Sequence, residues 1–374
     1  MNYDVVIIGA GPAGIAAAHN LINNKISCLL IDKQEFPRNK LCAGGITYKT
    51  FELIKSLKLE NEFNLDNAVI SEGANLYLEY KYISEMKTKG LTYLVDRFEF
   101  DNYLVEEYKT KGGKLLEGVK VEKIDTKRNK IFLSNKEEIS FKYIIGADGA
   151  VGITSKIIDK NYKANGFCLQ VEIDRNEFNY KGNNMSLYYG VIHSGYGWIF
   201  PKKDTLTIGF GGNYNKKIEY EKEFQIFLHK LGIVCDRKQF RGTFLPFGNY
   251  IKNPINNEKN LLLVGDAAGL VDPITGEGIY FAMLSGIKAS NVIIKSLQKN
   301  HNEVEKYVEE IFEITKNISK GEKLKNWVYK FRKLVFYAMK NKKIANLIFN
   351  KCLYESNYDL LKLLLNKNKK LCSK

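Results

Sequence analysis

The sequence predicts a mixed α/β (α+β) chain, in which a layer of fully buried parallel strands is interleaved with an antiparallel sheet and followed by C-terminal helices. Three observations predict it. Short apolar runs at 4–9, 28–31 and 261–264 are continuous rather than alternating, as strands covered on both faces require. Stretches rich in β-branched and aromatic residues, with Gly and Asn turns, lie between them, above all at 168–212, and read as antiparallel sheet. Residues 303–374 carry helical patterns and no strand candidate.

The first run, Asp4 to Gly9, leads into an Ala- and Ile-rich helix over 13–23 and then into a second buried run, Cys28 to Ile31, that stops at Asp32. Strand, helix and strand within about thirty residues is a βαβ unit. Residues 119–124 and 130–133 alternate like a meander, and Tyr143 to Gly149 reads as a further buried strand. Leu261 to Asp266 is another, with a helix expected from Gly278 to Leu297. The expected division is therefore discontinuous. Residues 1–55, 97–158 and 255–300 build the parallel layer, 56–96 and 159–254 the antiparallel sheet, and 301–374 a basic helical region.

Composition narrows the class. At 374 residues the chain can bury a substantial core, and 45% hydrophobic residues argues against disorder. No run of eighteen apolar residues occurs and no leader precedes the first strand, so a cytoplasmic protein is expected. The six cysteines form no CxxC pair, which points away from a disulfide framework or a metal site.

The net charge of +15 is unevenly placed. Residues 316–374 hold sixteen Lys/Arg against three Asp/Glu, a local net charge of +13. Within them, Trp327, Phe331, Leu334, Val335, Ala338, Ile344, Ala345, Ile348 and Cys352 fall largely on helical spacing. Lys330, Arg332, Lys333, Lys340, Lys342 and Lys343 surround that stripe. Such a helix can lie peripherally on an anionic inner membrane face, or it can cap the protein with its charged side in solvent. No nucleic-acid-binding module is present, so no nucleic-acid partner is expected.

Gly9-Ala-Gly11-Pro12-Ala13-Gly14 is a GxGxxG turn between buried strand and helix. The first glycine makes the turn, the second admits a pyrophosphate to bare backbone, and the third lets helix and strand touch. The helix N-terminus then faces the phosphates. Asp32, at the end of the second strand, can accept both hydroxyls of an adenosine ribose. Gly265-Asp266-Ala-Ala-Gly269 follows the 261–264 strand and runs on through Pro273, Gly276 and Gly278. Asp266 is placed for a polyol hydroxyl, and the small residues leave room for a flat ring ahead of a second helix start. Two such turns about 250 residues apart suit one long dinucleotide, and FAD is longer than NAD. Non-covalent FAD in a Rossmann-like layer is the expectation.

These motifs, with Gly146-Ala-Asp148-Gly149, resemble the para-hydroxybenzoate-hydroxylase-type flavoproteins. Within them, three segments resemble the geranylgeranyl reductase family: Pro37-Arg38-Asn-Lys-Leu-Cys42-Ala43-Gly44-Gly45, Asp96-Arg97-Phe-Glu-Phe-Asp101, and Gly195-Tyr196-Gly-Trp198-Ile-Phe200-Pro201. The resemblance spans roughly residues 1–300. Ala43 stands where many members have Gly, and Gly149 to Lys156 lacks the usual Ser-x-x-Arg spacing. The resemblance implies cofactor contacts by Lys33, Arg38, Arg97, Val121, Asp148 and Ile279 besides the glycines and aspartates above. The resemblance also implies that Cys42, Ala43, Gly44 and Gly45 form a loop beside the flavin.

The activity implied is saturation of isolated C=C bonds in polyprenyl chains by reduced FAD, with Cys42, Tyr196 and Trp198 as the catalytic set. Tyr196, Trp198 and Phe200 alternate, so in a strand they share one face. With Pro201 they make an apolar wall for an isoprenoid, or else an ordinary sheet core. Cys42 can tune the flavin or simply pack. His193 is a lone histidine near the wall. A flavin monooxygenase of the same fold and a non-catalytic flavin-carrying lipid-binding protein are the rivals. Asp32 is assigned to FAD and no second nucleotide fingerprint appears. The electron donor is therefore expected to be a small redox protein, or NAD(P)H reacting slowly.

Overall fold

Val5, Val6 and Ile7 have no solvent exposure, as a strand covered on both faces should. They belong to β1 (Asn2–Ile8), which leads through α1 (Pro12–Asn23) to β2 (Cys28–Ile31). β1 and β2 are parallel, in register from Val5↔Cys28 to Ile8↔Ile31. The structure, a computed structural model, describes residues 2–59, 61–178 and 180–359. The basic residues and Cys372 within 360–374 lie outside these.

After β2 the chain crosses to a second sheet with β3 (Gly45–Thr47), α2 (Tyr48–Ser56) and the long hairpin β4 (Val69–Leu78) and β5 (Lys81–Leu94). It returns through α3 (Arg97–Thr110) to β6 (Lys114–Leu116), then makes the meander β7 (Val121–Asp125), β8 (Lys130–Leu133) and β9 (Glu138–Gly146). α4 (Ser155–Ile158) precedes the antiparallel run β10 (Gly166–Asp174), β11 (Met185–Tyr189), β12 (Gly195–Pro201) and β13 (Thr205–Asn213). α5 (Tyr220–Lys230) and β14 (Arg241–Leu245) complete it. β15 (Leu261–Leu263) then re-enters the first sheet and leads into α6 (Ile279–Lys299).

The first sheet has the order β6-β2-β1-β9-β8-β7, with β15 parallel to the C-terminal end of β9. The second has the order β14-β10-β13-β12-β11-β4-β5-β3. The expected mixture of a parallel layer interleaved with an antiparallel sheet is what forms. β3, read from the sequence as part of the first layer, instead pairs with β5 in the second sheet, because the loop after β2 carries the chain across.

The C-terminal helices are α7 (Lys306–Glu310), α8 (Phe312–Lys330), α9 (Arg332–Ala338) and α10 (Lys342–Leu353). Val335, Phe336, Met339, Ala345 and Phe349 pack with Ala74, Leu76, Met86 and Met185 on the second sheet. Much of the apolar stripe is therefore already covered by protein, while Lys330, Arg332, Lys333, Lys340, Lys342 and Lys343 face outward. No described helix is long and apolar enough to cross a membrane.

α1 also buries an ionisable group. His19 has no exposure and its Nε2 bonds the Leu104 carbonyl of α3 at 2.9 Å, so Nε2 carries the proton. Burial lowers its pKa from 6.5 to about 4. The unfolded chain then binds more protons between those pH values, so the His19 contribution is full above pH 6.5 and is lost as pH falls towards 4. That loss is on the order of 3 kcal/mol. Urea unfolding at pH 7 and pH 4.5 should show a larger drop in wild type than in His19→Gln, and equal drops would refute the assignment.

Candidate flavin site

The turn after β1 distinguishes its three glycines. Gly9 has φ +103°, and a side chain there would overlap the Ala147 carbonyl. A side chain on Gly14 would overlap the Gly9 carbonyl, so helix and strand meet without a gap. Around Gly11 the nearest atom to an added Cβ is the Arg38 guanidinium at 3.9 Å. Protein packing requires glycine at 9 and 14, whereas at 11 it leaves open space. α1 starts there, at Pro12 and Ala13, with no side-chain cap, so its first N–H groups point into that space.

Asp32 is fixed by its own turn. Its Oδ2 accepts the Ala10 N–H at 2.8 Å and its Oδ1 accepts the Gln34 N–H at 2.9 Å. The Val119 N–H bonds the Asp32 carbonyl, bringing the approach to Val121 alongside, while Lys33 faces solvent. Asp148 directs its carboxylate to its own loop, accepting from the Ile153 and Thr154 N–H groups and the Thr154 hydroxyl. It shapes the backbone that packs behind Gly9.

Across from Gly11 lies a buried charge cluster. Arg97 makes a bidentate pair with Asp101 at 2.6 and 2.7 Å, and Arg38 approaches the same carboxylate at 3.2 Å. Two guanidiniums share one carboxylate, leaving a net positive charge. Burial opposes the Arg97 charge, and Asp101 followed by Cys42 more than offsets it. Arg38 Nε is buried without a hydrogen-bond partner among the described residues, and its Nη2 is the atom nearest Gly11. An unpaired buried N–H of this kind is costly, and a pyrophosphate facing Gly11 would lie within reach of this guanidinium. The cluster thus fits a dinucleotide.

The second turn meets the first. A Cβ on Gly265 would lie 3.0 Å from Ala13 Cβ, and one on Gly286 of α6 would overlap the Ala13 carbonyl, so the N-terminal halves of α1 and α6 touch. No described residue donates a hydrogen bond to the Asp266 carboxylate. Burial raises its pKa, with Lys40 and Arg97 pulling it back. The loop from Pro273 then turns at Gly276, φ +69°, and α6 begins at Ile279 behind Gly278 with no side-chain cap.

The aromatic strand faces both loops. On β12, Gly195, Gly197, Ile199 and Pro201 are buried, while Tyr196, Trp198 and Phe200 share the other, half-buried face. Tyr196 donates to the Thr275 carbonyl in the Pro273–Gly278 loop. A Cβ on Gly45 would lie 3.2 Å from the Phe200 ring, which places Phe200 against the Cys42–Gly45 loop. Trp198 lies between them, across Gly209 of β13, and its ring centroid is 5.9 Å from that of Tyr196. Its Nε1 is buried without a partner among the described residues. Cys42 Sγ accepts the Gly44 N–H at 3.4 Å. His193 lies elsewhere, in a shallow surface cleft with Ser194, Asn213 and Tyr214.

Two cleft residues escaped the sequence reading. Lys202, directly after Pro201, is buried, and its Nζ donates to the Ala43 carbonyl at 2.6 Å and to the Val95 carbonyl. It ties the Cys42 loop to the end of β5. Burial pushes its pKa down to about 8, with Cys42 foremost among the groups opposing that shift. Cys168 of β10 pairs with Gly211, on the same face as Trp198. Burial lifts its thiol to about 12, and Cys42 and Asp266 push it the same way. Period-2 alternation along β10 was the available signal for Cys168.

The family described as FAD binding domain matches residues 2–318. This chain belongs to that family. It is an FAD-binding oxidoreductase, and relatives named as reductases stand beside it. The digeranylgeranylglycerophospholipid reductase of Methanocaldococcus jannaschii is 33% identical over 80% of this chain and 78% of that protein. An uncharacterized protein of Methanosarcina barkeri is 34% identical over 79% of this chain and 76% of its own length. Among solved structures, a geranylgeranyl bacteriochlorophyll reductase-like protein from Thermoplasma acidophilum has a TM-score of 0.68 at 22% identity, covering 94% of this chain and 90% of that one. A flavoprotein/dehydrogenase from Cytophaga hutchinsonii gives 0.73 at 19% identity, with both chains fully covered. At these identities the two structures speak for the flavoprotein fold.

Proposed function

We propose that this flavoprotein saturates isolated C=C bonds of geranylgeranyl-type polyprenyl chains carried on a lipid or quinone precursor. The observation that carries the reading is the aromatic face of β12, which touches the Cys42 loop at Phe200 and the Gly276 loop at Tyr196. The named activity of the Methanocaldococcus jannaschii relative supports the substrate class. Gly9, Gly11 and Gly14, with Asp32, Arg38, Arg97 and Asp266, are the residues we assign to FAD. Bound FAD, once reduced, supplies the hydride. The chain's own tasks are to lay the alkene flat, keep water away and provide a proton at the second carbon. Tyr196, Trp198 and Phe200 perform the first two; Pro201, expected from the sequence to join this wall, lies on the opposite, buried face of β12 because side chains alternate along a strand. Cys42 Sγ is the group we assign to the proton.

The test is anaerobic. Protein reduced with dithionite is mixed with a geranylgeranyl lipid, and return of the oxidised flavin spectrum is followed. Cys42→Ser should bind FAD normally and reoxidise about 10²-fold more slowly, the low end for loss of a general acid. A wild type that reoxidises only with oxygen, giving a hydroxylated aromatic, would make it a monooxygenase instead.

A further inference from the structure

The loop from Asp272 to Gly278 is held from below by a residue outside the 2–318 stretch that matches the family. Asp272 is 1% exposed, and its Oδ1 accepts the N–H groups of Ile274 and Thr275, both at 2.8 Å. Its own N–H donates to the Glu277 carbonyl and its carbonyl accepts from Gly276, both at 3.0 Å. One carboxylate thus organises the whole turn, and its remaining oxygen, Oδ2, accepts the phenol of Tyr358. Tyr358 is 3% exposed.

The contact is built into the fold. A Cβ on Gly321 of α8 would lie 2.9 Å from Pro273 Cγ and 3.0 Å from Tyr358 Cε2, so glycine there lets loop, helix and tyrosine pack together. A second tether runs two residues earlier. Lys49 Nζ lies 2.5 Å from Glu277 Oε2 and donates to Ser356 Oγ at 3.0 Å. Burial, then Asp272, holds the Tyr358 phenol protonated well above its ordinary range, so it remains a donor.

We infer that Tyr358 is a positioning residue for the flavin. By donating to Asp272 it sets the Pro273–Gly278 loop in the conformation that receives the ring system, and it tempers a buried carboxylate beneath that loop. The inference needs only FAD and is independent of which substrate is reduced.

Tyr358→Phe keeps the ring and removes the donor. The probe is FAD titrated into apoprotein, followed by quenching of flavin fluorescence, with the visible spectrum and midpoint potential of the bound flavin as second readouts. We expect the FAD Kd to rise about tenfold, within the range for losing a hydrogen bond to a charged group. The flavin bands should shift and the potential should become more negative. Tyr354→Phe is the control, because Tyr354 donates to the Gly90 carbonyl on β5 and not to the loop. Wild-type Kd, spectrum and potential in Tyr358→Phe would overturn the inference. So would equal changes in Tyr354→Phe, since the effect would then be general loosening of the C-terminal segment.

Discussion

Gly11→Val protein is expected to fold and to be colourless. An added Cβ at this position meets no protein atom nearer than 3.9 Å, and the backbone there is ordinary, so folding is not opposed. The same space lies in front of the uncapped start of α1 and beside the Arg38 guanidinium. A valine side chain would occupy it and break the charge-assisted hydrogen bonds a pyrophosphate makes there. Each is worth about 1.5–3 kcal/mol, so losing two together weakens FAD by roughly 10²–10⁴-fold. Gly14→Val is the contrast. Its side chain would overlap the Gly9 carbonyl, so it should fail to fold whether or not FAD is supplied. Circular dichroism and flavin absorbance on the two purified variants separate the cases. A yellow Gly11→Val would remove the pyrophosphate from this turn.

Trp198→Ala should leave the flavin spectrum nearly unchanged and slow anaerobic reoxidation by a geranylgeranyl lipid about 10²-fold, the cost of roughly 1 Å of misplacement. The indole rests on Gly209 and against Tyr196, on a strand whose opposite face is buried in the second sheet's core. Its removal takes a large apolar wall from the β12 face and leaves the Cys42–Gly45 and Pro273–Gly278 loops to their own hydrogen bonds. The outcome that would sink this assignment is wild-type reoxidation by the variant, with FAD bound as tightly as before. The polyprenyl reading would survive that result, but Trp198 would be sheet core.

Local chemistry explains what could be read from the sequence. Gly9 and Gly14 answer to atoms within one strand–turn–helix unit, and Asp32 simply ends a buried run. The common face of Tyr196, Trp198 and Phe200 follows from a period of two. Residues brought in over long distances gave no such signal. Lys202 bonds Ala43 across 159 positions, and Tyr358 bonds Asp272 across 86. Neither spacing has a local pattern. The C-terminal stripe shows the same boundary from the other side. Its periodicity told that Val335, Ala345 and Cys352 need covering, but not that the second sheet and the Pro273–Gly278 loop cover them.

The interleaved order of the strands has a consequence for how the chain matures. The first sheet is assembled from residues 2–31, 114–146 and 261–263. A ribosome therefore delivers the Gly9–Gly14 turn, to which we assign the adenosine end, more than two hundred residues before the Gly265–Gly278 loops, and the strands of the whole second sheet are made in between. No nascent fragment short of α6 possesses both ends of the cradle. If the residues assigned to FAD hold it, bound flavin would report that both sheets and the start of α6 are in place rather than the first βαβ unit alone.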